Sequence, residues 1–327
     1  MFHAANEELS DEMSRMKGSP LGLARSIDKV TLNYIIYNME AIEFGNFEPV
    51  DKSLLQQKLH EYEQRFPEAM RILEVGGVHP SREVILKNPY LPGQPEDVES
   101  FTNIGRHCVA VAHLAEKLDP TAVERALVHD ANKRYEVMRK KAQKSGALNC
   151  ADVYSGQAYE AIREKLKGEN IHPELLDYLA AAGKETGHNS LMSFLQIDSQ
   201  GAIFLNPKRT NAEKVVHIAD DMTSSTLPKD GSEEQTYYVT CEERMALSDF
   251  PNRYAFLFIE GFGFDASGKA VTIRDINSDY AKKLRQMKSY ADWQVIVAKM
   301  IATDLQKALA PDNKQDPELF LCDRANS

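Results

Sequence analysis

Apolar residues recur along this chain at the three- and four-residue spacing that gives a helix one buried face. Leu32, Ile35, Ile36, Met39 and Ile42 make one such stripe, and Leu55, Leu59, Tyr62 and Phe66 a second. His107, Val111, Leu114 and Leu118 make a third, Val123, Ala126, Leu127 and Asp130 a fourth, and Ala212, Val216, Ala219 and Asp220 a fifth. Two helix starts are marked: Asp119-Pro120-Thr121 has Asp as cap and Pro at the first helical position, and Thr210 with Glu213 has capping-box spacing. Residues 147–167 and 172–182 read as two further helices joined by Gly168-Glu169-Asn170, and 278–310 as a long amphipathic one with Trp293, Ile296, Val297 and Met300 on one side. The texture changes after His188: 194–197 and 202–205 read as strands about a turn, and 254–262 and 270–273 as a second hairpin about Asp265-Ala266-Ser267-Gly268.

Punctuation divides this pattern. Asn88-Pro89-Tyr90-Leu91-Pro92-Gly93-Gln94-Pro95 holds three prolines in eight residues and interrupts helix, and Leu227-Pro228-Lys229-Asp230-Gly231-Ser232 does so again. The predicted organisation is an N-terminal helical extension over 1–95, a central helical domain over 96–226, and a C-terminal extension over 227–327 that packs a hairpin and helices on the core. From Pro311 the chain is polar and predicted to fray. The fold class is mainly α. The first extension carries no obvious chemistry, so its stripes read as core.

Three of the stripes carry a side chain foreign to an apolar face. His107, Asp130 and Asp220 each fall on the buried side of a helix, and Asp130 follows His129. An unpaired buried carboxylate costs several kcal/mol, and a bound cation removes that cost. Imidazole nitrogen and carboxylate oxygen both bind divalent ions, so these groups read as ligands. Asp221 lies about 100° round the helix from the stripe, which selects Asp220. His113 and His217 share helices with the candidates but not their phase, and read as structural.

Composition narrows the partner. The net charge of −10 and pI of about 5.5 argue against a nucleic-acid backbone as principal partner, which needs clustered cations. A small anion remains compatible, since a metal and a few Lys or Arg set the local field. The four cysteines are far apart and indicate neither a disulfide frame nor a zinc knuckle. The N-terminal residues lack a secretory pattern, and no apolar run approaches the ~20 residues that span a bilayer. A soluble, cytoplasmic protein with no membrane partner is expected, and a homo-oligomer is compatible with it.

His107, the pair His129-Asp130 and the distant Asp220, each on its own apolar helix, together resemble the HD-domain metal-dependent phosphohydrolase superfamily. The resemblance covers roughly residues 96–226. It implies a helical bundle in which His107, His129, Asp130 and Asp220 bind a divalent metal (Mn, Fe, Co, Ni, Zn or Mg). It also implies a metal-activated water that cleaves a phosphate ester of a nucleotide or small metabolite. Two-metal members usually add an adjacent His-His pair, whereas Gly187 precedes His188 here, so one metal per site is the reading. In the same terms Lys133, in His-Asp-x-x-Lys, would meet the phosphate, with Arg106, Arg134 and Lys184 as further candidates. His188 would be a catalytic acid, an extra ligand or only a hydrogen-bonded loop histidine, and Asp221 an outer acceptor. The alternative is a catalytically silent HD scaffold that senses a nucleotide or docks a protein.

Overall fold

The computed structural model of the chain describes residues 47–91, 93, 99–145, 156–185, 194–197, 202–226, 234–246, 262–265, 270–272 and 290–327. The stripe from Leu32 to Ile42 lies outside them. By its internal contacts the chain divides into two units, 1–42 with 226–233, and 43–225 with 234–327. Everything below belongs to the second, apart from Thr226 at the end of one strand.

The described chain is mainly helical, with two small sheets. Helices α1 (Lys52–Arg65) and α2 (Pro67–Gly76) come first. Asp51 caps α1 by accepting from Ser53 N at 2.8 Å, and α2 opens on a proline, whose missing N–H costs nothing in a first turn. Helix α3 (Thr102–Leu118) is the hub. Cys108 to Ala115 are buried without interruption, which is the signature of a helix surrounded by others. It packs on α1, on α4 (Val123–Val128), on α8 (Asn211–Met222) and on α11 (Pro317–Asn326).

Asp119 caps the segment before α4 as predicted, accepting from Thr121 N at 3.0 Å, although the first residues, Pro120–Ala122, form a 3-10 turn. Helix α4 stops at Val128, so His129 to Asn132 form a tight turn into α5 (Lys133–Lys144). Asp130 therefore stands on a turn rather than on the helix that the stripe predicted. Helices α6 (Gly156–Lys165) and α7 (Pro173–Glu185) follow, separated by Gly168 at φ 89°, where a glycine meets no steric objection. The capping box at the head of α8 is present, with Thr210 and Glu213 each accepting from the other's backbone N–H.

Strands β1 (Leu195–Ile197) and β2 (Ile203–Leu205) form the expected antiparallel hairpin, with Gln196 opposite Phe204. Strand β1 also pairs in parallel with β5 (Phe262–Asp265), which is antiparallel to β6 (Ala270–Thr272), giving a mixed sheet in the order β2-β1-β5-β6. The two predicted hairpins thus share one sheet. Most of the predicted strand over 254–262 lies outside the described residues, and β5 runs on to Asp265, where the turn was expected to begin. The second sheet joins β3 (Thr223–Thr226) to β4 (Gln235–Tyr238), an unpredicted pair that spans the boundary drawn at 226.

Helix α9 (Cys241–Met245) is short, and α10 (Tyr290–Leu309) is long and buries Val297, Ala298, Ile301, Ala302 and Leu305. The tail predicted to fray instead forms α11, capped by Asp316 and buried at Leu321, Cys322 and Ala325. Asp323, Arg324 and Asn326 face outward while Leu321, Cys322 and Ala325, with Glu318, are buried, so the polarity that suggested fraying belongs to one face of a helix. Among the described residues, no helix is long and apolar enough to cross a membrane.

Candidate metal centre

Three helices bring the predicted ligands together. His107 stands one turn into α3, His129 follows the last residue of α4, and Asp220 lies near the end of α8. One ligand atom from each lies within 4.8 Å of the others. His107 Nε2 is 3.0 Å from Asp220 Oδ1, and His129 Nε2 is 3.6 Å from the same oxygen. The two imidazole rings are 5.4 Å apart.

His129 forms the floor and is completely buried, while His107 and Asp220 are partly open at 15% and 19% side-chain exposure. Its Nδ1–H donates to the Ala126 carbonyl at 2.7 Å, so in the neutral ring the lone pair sits on Nε2. That Nε2 is buried and makes no hydrogen bond. A buried imidazole nitrogen without a hydrogen-bond partner, oriented by a backbone carbonyl behind it and facing a carboxylate, is the arrangement a metal-ligating histidine takes. The residues therefore fit a divalent ion.

The electrostatics agree. Burial disfavours the imidazolium of His129, but Asp130, Cys108 and Asp220 outweigh it, so its pKa stands above the ordinary histidine value. Burial works against ionising Asp220 too, yet His107, His129 and Arg244 hold its carboxyl well below the usual range. The pocket has an appetite for positive charge.

Asp130 stands at the edge of the group. Its Oδ2 is 3.9 Å from His129 Nε2, its Oδ1 is 3.5 Å from Lys133 Nζ, and it is not one of the three residues whose ligand atoms lie mutually within 4.8 Å. Lys133 is two-fifths exposed and borders the site through that contact. Arg106 reaches away, to Glu234 at 3.0 Å and Thr102 at 3.2 Å. Arg134 is a correction: it is fully buried, donates to the carbonyls of Gly77 and Val84, and lies over the Phe101 ring. It holds the loop after α2 and is not presented to a substrate. His188 and the side chain of Lys184 lie outside the described residues.

His113 and His217, read as structural, are not among the three clustered residues, although His217 Nε2 is likewise buried without a hydrogen-bond partner. His113 Nδ1 is 2.9 Å from the Tyr238 hydroxyl, and burial lowers its pKa to about 4. His217 stacks on Phe194. Asp221 does not support a ligand histidine; it is buried 3.3 Å from His217 Nε2 and accepts from Gln294 Nε2. Burial, the leading cause, raises its pKa. Arg244, which no motif flagged, donates through Nη1 to the Asp220 carbonyl, with Nη2 3.9 Å from Asp220 Oδ1.

Comparison with family models, curated proteins and solved structures gave no match.

Proposed function

We propose that the chain is an HD-type, metal-dependent phosphohydrolase acting on a phosphate ester of a nucleotide or small metabolite. The observation that carries this reading is the buried, hydrogen-bond-free Nε2 of His129 facing His107 and Asp220. In this reading Asp130 is the fourth donor. A divalent ion bound there supplies a Lewis acid and a water of lowered pKa.

The chain's own residues divide the remaining work. The Ala126 carbonyl keeps the His129 lone pair turned inward. His107 Nε2 stands 3.0 Å from Asp220 Oδ1, so the two groups converge on one point. Lys133 offers its ammonium to the substrate phosphate from the Asp130 side. The overall reaction adds water across the ester: the water oxygen bonds to phosphorus, the P–O bond to the alcohol breaks, and the alcohol oxygen takes a proton.

The test begins with metal content. Purified chain exposed to Mn²⁺, Co²⁺ or Ni²⁺ should retain a single ion and release phosphate from an aryl phosphate. Asp220→Asn, which keeps shape and removes charge, should lose the ion while its circular dichroism stays as in the parent. Parent protein that retains none of these ions and turns over no ester would overturn the reading and leave the silent scaffold in its place.

A further inference from the structure

Arg244 belongs to a five-residue helix that the sequence gives no reason to notice, yet three parts of the fold hold that helix in place. Thr240 caps it, accepting from Glu243 N at 3.2 Å. Glu318 of α11 accepts from Cys241 N at 2.8 Å, and Lys299 of α10 ion-pairs with Glu242. The guanidinium thereby reaches the end of α8, where it spends one donor on the Asp220 carbonyl. Nη2 is too far from Asp220 Oδ1, at 3.9 Å, for a hydrogen bond. The side chain is 19% exposed, as is that of Asp220, so the guanidinium is partly open to solvent beside that carboxylate.

Other cations near the site are committed elsewhere. Arg106 pairs with Glu234, and Arg134 is sealed among backbone carbonyls. Among the described residues, Lys133 and Arg244 are the cations that contact acidic groups of the centre, one at Asp130 and one at Asp220. A divalent ion balances those two carboxylates. Counted over the ion, these two carboxylates and these two cations alone, the balance is two positive charges. A phosphomonoester carries between one and a half and two negative charges, roughly, at neutral pH, whereas a diester carries a single one.

We infer that Arg244 binds the phosphoryl oxygens of the substrate, with Lys133 as the second cation, and that the pair selects a terminal phosphomonoester over a diester. This deepens the phosphohydrolase reading and rests on it. A guanidinium suits the role because its planar donors match phosphate oxygens two at a time, which an ammonium does not.

The test uses the full chain loaded with Mn²⁺, with metal content, calorimetric binding of inorganic phosphate, and binding of phenyl phosphate against diphenyl phosphate as readouts. Arg244→Ala should keep its ion and bind phosphate about ten- to a hundred-fold more weakly, the range expected for loss of a charged hydrogen bond. Arg244→Lys should recover part of that loss, and the parent should prefer phenyl phosphate to diphenyl phosphate. Unchanged phosphate affinity in Arg244→Ala would overturn the inference, as would equal affinity of the parent for the two esters. Loss of the ion in Arg244→Ala would overturn it too, by showing that the arginine only positions Asp220. If Arg244→Ala does not fold, Arg244→Gln, which retains a donor for the Asp220 carbonyl, is measured by the same criteria. Metal-loaded parent that binds no phosphate at all would sink the phosphohydrolase reading itself, an outcome visible without any variant.

Discussion

A methyl group on Gly76 would have no room. Its Cβ would lie 2.2 Å from the carbonyl oxygen of Ala131, in the turn that carries His129 and Asp130. Gly105 repeats the device on α3, where a Cβ would stand 2.1 Å from the Val78 carbonyl, two residues before His107. In a helix, alanine normally gains up to about 1 kcal/mol over glycine. Backbone cannot yield as a flexible side chain does, so overpacking, at about 1–3 kcal/mol, wins. Gly76→Ala should therefore lower the melting temperature and, by moving the turn, reduce metal content; a variant that melts as the parent does with its ion retained would refute the clash. At this scale the sequence was informative where burial follows periodicity. His107 and Asp220 occupy apolar stripes, and a polar group on such a stripe needs a partner. It was uninformative where a side chain's direction depends on distant backbone: Arg134 shares the motif's neighbourhood but turns into the core, and Arg244 meets Asp220 across a span that no periodicity encodes.

Among the elements, α11 illustrates how a short helix can control another. Its Glu318 is 1% exposed and serves as hydrogen-bond acceptor for the first N–H of α9. Burial, the main cause, pushes its pKa up to about 7, with Asp316 and Asp221 adding and the Cys241 N–H and Lys299 opposing. A carboxyl raised on folding holds its proton more tightly in the native state. Its contribution is therefore full below the ordinary glutamate value, near 4.5, and is lost as pH rises through about 7. The difference is on the order of 3 kcal/mol. Glu318→Gln keeps an acceptor for the Cys241 N–H and cannot ionise. Measured by urea unfolding, it should match the parent near pH 5 and exceed it near pH 8, and parallel curves for the two proteins across that range would exclude the effect. The helix was not predicted, although Asp316-Pro317 is the same kind of start signal as Asp119-Pro120. Its outward charges obscured that signal.

Over the whole second unit, the helices that carry His107 and Asp220 are tied together by segments far away in sequence. Glu116 of α3 binds Lys58 and Arg65 of α1, at 2.8 and 2.6 Å. Helix α11 packs on α3 through buried Leu321, Cys322 and Ala325, and Arg324 donates to the Lys117 carbonyl at 2.8 Å. Helix α10 contributes Gln294 to Asp221 and Asp304 to Lys214 of α8. The chain after residue 290 is thus a buttress for both α3 and α8, the helices that carry His107 and Asp220. Removing residues 317–327 would expose apolar core against α3, at about 1.5–3 kcal/mol for a side chain of leucine size. It would also delete the carboxylate that caps α9. Set against a total stability of about 5–15 kcal/mol, that loss is large. The truncated chain should melt well below the parent. At temperatures where it remains helical, it should retain the ion less well and bind phosphate more weakly, because α3 and α9 have both lost a support. Metal titration and phosphate calorimetry on the two chains, side by side below both melting points, decide the matter: equal values would mean that the C-terminal helices shield the core without shaping the site.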